Sequence, residues 1–115
     1  MTNCKIALYE IQTTGLHPLG HNDLNLVKKA IQSGQQIWID IIGIDSVVIQ
    51  ELAEKLTLHQ SIIKDIINLR EQRPKVEVLD DYVYWISREH QYYEDNQFRL
   101  KKVFTILGEN FVVTI

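Results

Sequence analysis

The stretch Leu56 to Tyr84, LTLHQSIIKDIINLREQRPKVEVLDDYVY, decides how the chain is organised, because it leads from a helix into the most apolar strand. Ile62, Ile63, Ile66 and Ile67 fall at i, i+1, i+4 and i+5 and paint one apolar stripe on a short helix, with Ser61 placed to cap it. At roughly 100° per residue Asp65 stands about 130° from the centre of that stripe, so its carboxylate is expected on the solvent side. Arg73-Pro74 ends any helix, since proline lacks an N–H and disfavours αR at the preceding residue. Val76 and Val78 begin a strand. After the turn at Asp80-Asp81, the run Tyr82-Val83-Tyr84-Trp85-Ile86 is apolar at both parities, the pattern of a strand covered on both faces. It is therefore predicted to be the central strand of a sheet.

Upstream, Lys5 to Gln12 alternates as a first strand, and Thr13 to Asn22, with Gly15, Pro18 and Gly20, reads as a loop. Asn22 or Asp23 is expected to cap a helix whose Leu26, Val27, Ala30 and Ile31 share a face and which stops near Ser33, before Gly34. Gln36 to Ile42 reads as a mostly buried strand with one polar position, Asp40, and with Trp38 in the core. Asp45 or Ser46 then caps a helix in which Val48, Ile49, Leu52, Ala53 and Leu56 repeat at helical spacing. Downstream, Tyr82 to Gln91, Gln97 to Leu107 and Phe111 to Ile115 are strands separated by the turns Asp95-Asn96 and Gly108-Glu109-Asn110. Strands so closely joined are antiparallel, whereas the β-α-β-α opening suits a parallel crossover. The expected fold is thus α/β, an α/β/α sandwich on a mixed parallel and antiparallel sheet, with helices on both faces.

The 115 residues make one domain, 1–115, long enough to bury a core without a metal or disulfide staple. A formal charge of −3 gives no pull toward nucleic acid or anionic lipid. Cys4 is the single cysteine, which excludes an internal disulfide and a zinc knuckle and suits a reducing, cytoplasmic compartment. Lys5 and Glu10 interrupt the N-terminus, so it is no signal peptide, and no apolar run approaches the roughly 20 residues of a membrane span.

Sites of chemistry are few. There is no phosphate-binding glycine loop, Gly-x-Ser-x-Gly elbow or His-Glu-x-x-His, and the chain is not expected to be an enzyme. His17 and His21 would suit a metal only on a regular helix, which Pro18 and Gly20 oppose. Asp80 and Asp81 read as turn formers and His59 as a packing or hydrogen-bonding residue. Arg70, Arg73 and Lys75 are interleaved with Glu71 and Glu77, the mixed signs of a solvated face.

Six blocks carry a resemblance: Trp38-Ile39-Asp40-Ile41-Ile42-Gly43-Ile44, Leu58-His59, Asp65-Ile66, Gln72-Arg73-Pro74-Lys75-Val76-Glu77, Asp81-Tyr82 and Leu107-Gly108-Glu109-Asn110-Phe111-Val112-Val113. In order and spacing they resemble the cytosolic N-terminal domain of the CorA family of magnesium and cobalt transporters and its ZntB-like relatives, over about Gln36 to Ile115. The resemblance implies an α/β/α domain in the cytoplasmic funnel of a homopentamer, on the cytoplasmic side of the cell membrane, with stalk and membrane helices beyond Ile115. The fragment alone would then be soluble, monomeric or weakly associated. The resemblance also implies that Asp65 provides one half of an intersubunit site for a regulatory divalent cation, magnesium or possibly cobalt. Lys64 stands where the family often has glutamate, and Gln60 where it often has proline. The positive charge of Lys64 weakens a cation beside Asp65. The alternative is a free-standing metal-sensing or adaptor domain with no transport role.

Overall fold

The structure, a computed structural model, describes residues 4–68, 74–92 and 98–115, with backbone alone for 89–92 and 98–101. In chain order the elements are β1 (Lys5–Gln12), β2 (Gly15–His21), α1 (Asn25–Gln32), β3 (Ile37–Ile42), α2 (Ser46–Leu56), α3 (Gln60–Ile67), β4 (Lys75–Val78), β5 (Tyr82–Tyr92), β6 (Phe98–Gly108) and β7 (Phe111–Thr114). The strands form a single sheet in the order β2-β1-β3-β7-β6-β5-β4. Among the described residues only β3 and β7 pair in parallel; every other neighbouring pair is antiparallel. The α/β class and the mixed sheet agree with the sequence reading.

Register sorts the strand residues onto two faces. Ile6 opposes Ile41 and Leu8 opposes Ile39; Ile39 pairs with Val113, Val113 with Ile106, Ile106 with Tyr84, and Phe104 with Ile86. All of these are buried, in one cluster with Val27 and Ala30 of α1, Ile49, Leu52, Ala53 and Leu56 of α2, and Ile62, Ile63 and Ile66 of α3. The three helices therefore lie on this one face. The opposite face carries Tyr9, Trp38, Asp40, Thr114, Thr105, Val83 and Trp85, and it leaves Ile42, Leu107, Val76 and Val78 exposed. Helices on both faces were expected. The described residues supply two layers, because α1, α2 and α3 each carry one apolar stripe and those stripes merge into one core.

Several local expectations change. The stretch from Thr13 to Asn22 is not a loop: β1 turns at Thr13-Thr14 into β2, with Gly15 at φ 130°. Pro18 is accommodated because β2 is an edge strand, and a register shift between Leu8 and Tyr9 absorbs one residue beside it. This hairpin reverses the chain, so β1 and β3 run antiparallel and the expected parallel crossover is found between β3 and β7 instead. Nor is β5 central. It lies one strand from the edge, with Tyr82, Tyr84 and Ile86 buried beneath the helices and Val83 and Trp85 only partly covered. Apolar residues at both parities thus mark a second face that is apolar yet open.

The helix ends follow side-chain chemistry. Asp45 caps α2, its Oδ1 accepting from the N–H groups of Val47 at 2.9 Å and Val48 at 3.5 Å. Gly34, at φ 76°, follows α1 as expected, but α1 has no side-chain cap: Leu24 stands at that position, and Asp23 accepts from the Asn25 N–H just outside it. The cap of α3 is His59 rather than Ser61, with the ring Nδ1 accepting from the Ser61 N–H at 3.2 Å. The His59 N–H donates to the Tyr82 hydroxyl at 2.6 Å, which pins the start of α3 over β5.

Candidate functional site

Asp65 lies at the edge of the sheet, where α3 overhangs β4. Lys75 and Glu77 pair with Ile86 and Tyr84, so both side chains share the helix-covered face, while Val76 and Val78 point to the open one. The Lys75 ammonium reaches the Asp65 Oδ2 at 2.6 Å and the Glu77 Oε1 at 3.1 Å, bridging the two carboxylates. It also stands 5.9 Å from the centroid of the Tyr84 ring, at the outer range of a cation–π contact.

This corrects the expected position of Asp65. The carboxylate is not on the open solvent side, its side chain being only 21% exposed. The buried face of α3 is Ile62, Ile63 and Ile66, and Asp65 falls on its flank, about 110° from their centre at roughly 100° per residue. On an isolated helix that flank would face water. Here the sheet extends past the helix, and β4 presents a lysine to it.

Tyr84 forms the floor. It is fully buried, and its hydroxyl lies beside the Asp65 carboxylate without the geometry of a hydrogen bond. Burial first, then the charges of Asp65 and Glu77, push the ionisation of this phenol far above its ordinary value. The hydrogen bond to Asp65 also raises the Lys75 ammonium above its usual range, against a smaller opposing effect of burial, and Glu77 adds in the same sense. The group thus holds two carboxylates, an ammonium that stays charged and a phenol that stays neutral.

Lys64, expected to disturb a cation at Asp65, is exposed, and a positive charge that does reach the carboxylate comes from Lys75. The sequence reading had placed Lys75 in a basic cluster with Arg70 and Arg73, both of which lie outside the described residues. The signal available was alternation: exposed Val76 and Val78 require Lys75 and Glu77 to face the helices. His17 and His21 sit on an edge strand, with His17 Nε2 3.0 Å from the Thr14 hydroxyl, and they do not converge. Among the described residues no group of three or more His, Cys, Asp or Glu side chains is arranged to hold a metal ion. Asp80 and Asp81 form the turn closed by the Leu79 N–H to Tyr82 carbonyl bond, as expected of turn formers. The Cys4 thiol is pushed above its ordinary ionisation by burial and by the Asp45 charge, partly offset by a backbone hydrogen bond. Among the described residues no helix is long and apolar enough to cross a membrane.

A mixed sheet with its described helices on one face, and an acidic pair clamped by a lysine at its rim, defines an α/β domain. The chain is 31% identical, over 93 residues or 79% of its length, to the cobalt/magnesium transport protein CorA of Thermotoga maritima. Its fold superposes over its whole length, with a TM-score of 0.65 and 21% identity, on the soluble domain of CorA from Methanocaldococcus jannaschii. No family model matches the chain. By sequence and fold together, this is a domain of the CorA N-terminal type. It spans 26% of the length of the Thermotoga maritima protein and 41% of the Methanocaldococcus jannaschii chain.

Proposed function

We propose that the chain is the regulatory N-terminal domain of a CorA-like transporter of divalent metal ions, magnesium or cobalt, and that it acts in intersubunit metal sensing and gating. The observation that carries this reading is the agreement of the sequence match to a cobalt/magnesium transport protein with a fold match across the whole chain. The open sheet face adds support. Ile42, Leu107, Val76 and Val78 are 44% to 78% exposed on one side of the sheet, an apolar surface suited to being covered by more protein.

In this reading the domain sits on the cytoplasmic side of the membrane as part of a homopentamer, and Asp65 is its half of a site completed by a neighbouring subunit. A carboxylate suits magnesium, which prefers oxygen ligands and keeps several waters. Binding that draws two subunits together favours the closed arrangement through its differential affinity, and loss of the ion releases it. The domain itself performs no catalysis.

The test is ion flux by the complete gene product reconstituted in vesicles. Magnesium entry should fall as internal magnesium rises, and Asp65→Ala should blunt that inhibition. Absence of any divalent flux would contradict the transport reading and favour a free-standing sensor or adaptor. Flux that responds to internal magnesium identically in the mutant would remove Asp65 from the sensor.

A further inference from the structure

We propose that His59 makes the seating of α3 sensitive to pH. Its imidazole fastens the first turn of that helix only while Nδ1 is free of a proton, so acid in the range where histidine takes up charge unfastens the turn.

The geometry of the cap carries this. A backbone N–H can only donate, so the 3.2 Å contact from the Ser61 N–H to the His59 ring requires a lone pair on Nδ1 and places the ring proton on Nε2. Serine, threonine, aspartate and asparagine are the usual residues at this position. Histidine fills it instead with an acceptor that can bind a proton between about pH 5 and 8. Among the described residues the Ser61 N–H has no other acceptor, whereas the Ile62 N–H reaches the His59 carbonyl at 3.1 Å. His59 is exposed, so a proton reaches the ring without any opening of the fold.

Protonation acts twice. It removes the acceptor and leaves the Ser61 N–H to water; the Ser61 hydroxyl, 2.9 Å from Nδ1, can then accept from the ring, which keeps the side chains together but not the backbone bond. It also sets a positive charge at the N-terminus of α3, where the helix macrodipole is already positive. No ion pair offsets that charge. The charged groups on the adjoining elements are Glu51, Glu54 and Lys55 of α2, Lys64 and Asp65 of α3, and Asp80 and Asp81 in the turn before β5. None of them bonds or ion-pairs with the ring, whose partner is Ser61. The Tyr82 hydroxyl meets the His59 backbone N–H rather than the imidazole, so this second anchor persists when the ring is charged. Acid therefore loosens the first turn of an eight-residue helix while its isoleucines stay docked.

The experiment follows amide hydrogen exchange and histidine ring resonances of the isotopically labelled 115-residue chain from about pH 7.5 to about pH 5. At the upper end the His59 ring nitrogens should show the Nε2–H tautomer. As pH falls, protection of the Ile62, Ile63 and Lys64 amides, corrected for the intrinsic pH dependence of exchange, should drop about fivefold, the equilibrium factor of a typical cap. That drop should share its midpoint with the titration of the His59 ring, and the amides of α2, under the Asp45 cap, should show no step there. His59→Asn, which keeps an acceptor and takes up no proton, should hold full protection throughout. His59→Ala should show the reduced protection at every pH. An Nδ1–H tautomer at neutral pH, protection that does not change, a midpoint that follows another histidine, or a step that survives in His59→Asn would each overturn the proposal. The wild-type tautomer and midpoint decide the matter even if a variant fails to fold. None of these readouts depends on metal or on transport, which the flux assay decides separately.

Discussion

At the residue scale, Tyr84 is the position where packing and electrostatics pull apart. Its ring fills the core beneath Asp65, Lys75 and Glu77, yet its hydroxyl gains no proper hydrogen bond. Tyr84→Phe keeps the ring and removes the unmatched group, so stability should be unchanged or raised by about 1 kcal/mol in urea unfolding. A loss of several kcal/mol would show that the hydroxyl is well bonded in solution. The pH dependence follows with a definite sign. The phenol of Tyr84 and the ammonium of Lys75 both have folded-state ionisations above their unfolded values of 10.0 and 10.5. The folded state therefore holds protons more tightly. Stability from these groups is fully present below about pH 10 and falls as pH rises past it. Thermal melts between pH 7 and 11 should show a decline at the alkaline end that is smaller in Tyr84→Phe. An equal decline in both proteins would count against Tyr84 as its source.

At the scale of elements, two helices are fastened by side chains at their N-termini and one is not. Asp45 satisfies two backbone donors of α2, and its replacement by alanine should cost about 1 kcal/mol, largely restored by asparagine or serine. Urea denaturation of the three variants checks this; no difference between alanine and asparagine would mean the cap contributes little. The short α3 depends more on packing. Ile62, Ile63 and Ile66 are each at most 2% exposed, and Ile62→Ala should cost about 2 to 5 kcal/mol. That loss should also detach Asp65 from Lys75, because the isoleucines set where the flank of α3 meets β4. In amide chemical-shift spectra, Lys75 should be perturbed by Ile62→Ala even though one residue lies on α3 and the other on β4.

At the scale of the whole molecule, the open sheet face is the dominant feature. Tyr9 and Trp38 pack with ring centroids 5.2 Å apart, and the Trp38 Nε1–H donates to the Thr114 hydroxyl, which donates to Asp40. Around this polar chain the surface is apolar and runs toward exposed Val76 and Val78 on the edge strand. Leu107→Lys and Val78→Lys should change the stability of the isolated chain by no more than about 0.5 kcal/mol, since little is buried there. If further protein covers this face, the same substitutions should weaken assembly of the complete protein, measured as subunit dissociation in native gels or ultracentrifugation. Unaltered assembly would mean the face stays bare.

The sequence by itself determined the alphabet of elements and much of their extent. Lys5 to Gln12, Ile37 to Ile42 and the helix after Asp45 were legible because period and punctuation agree there. The resemblance rested on the blocks from Trp38 to Val113, and the sequence and fold matches to CorA proteins support it. Strand order, and which face the helices take, were decided only by tertiary structure. A run apolar at both parities states that two faces are apolar, not that two faces are covered, and Tyr82 to Ile86 has one of each kind. Asp65 shows the same limit. Helical periodicity fixed its angle relative to the isoleucines, but the lysine that meets it comes from a strand ten residues on. Whether a helix flank faces water or an ion partner depends on how far the sheet extends beneath it, a distance that local sequence does not encode.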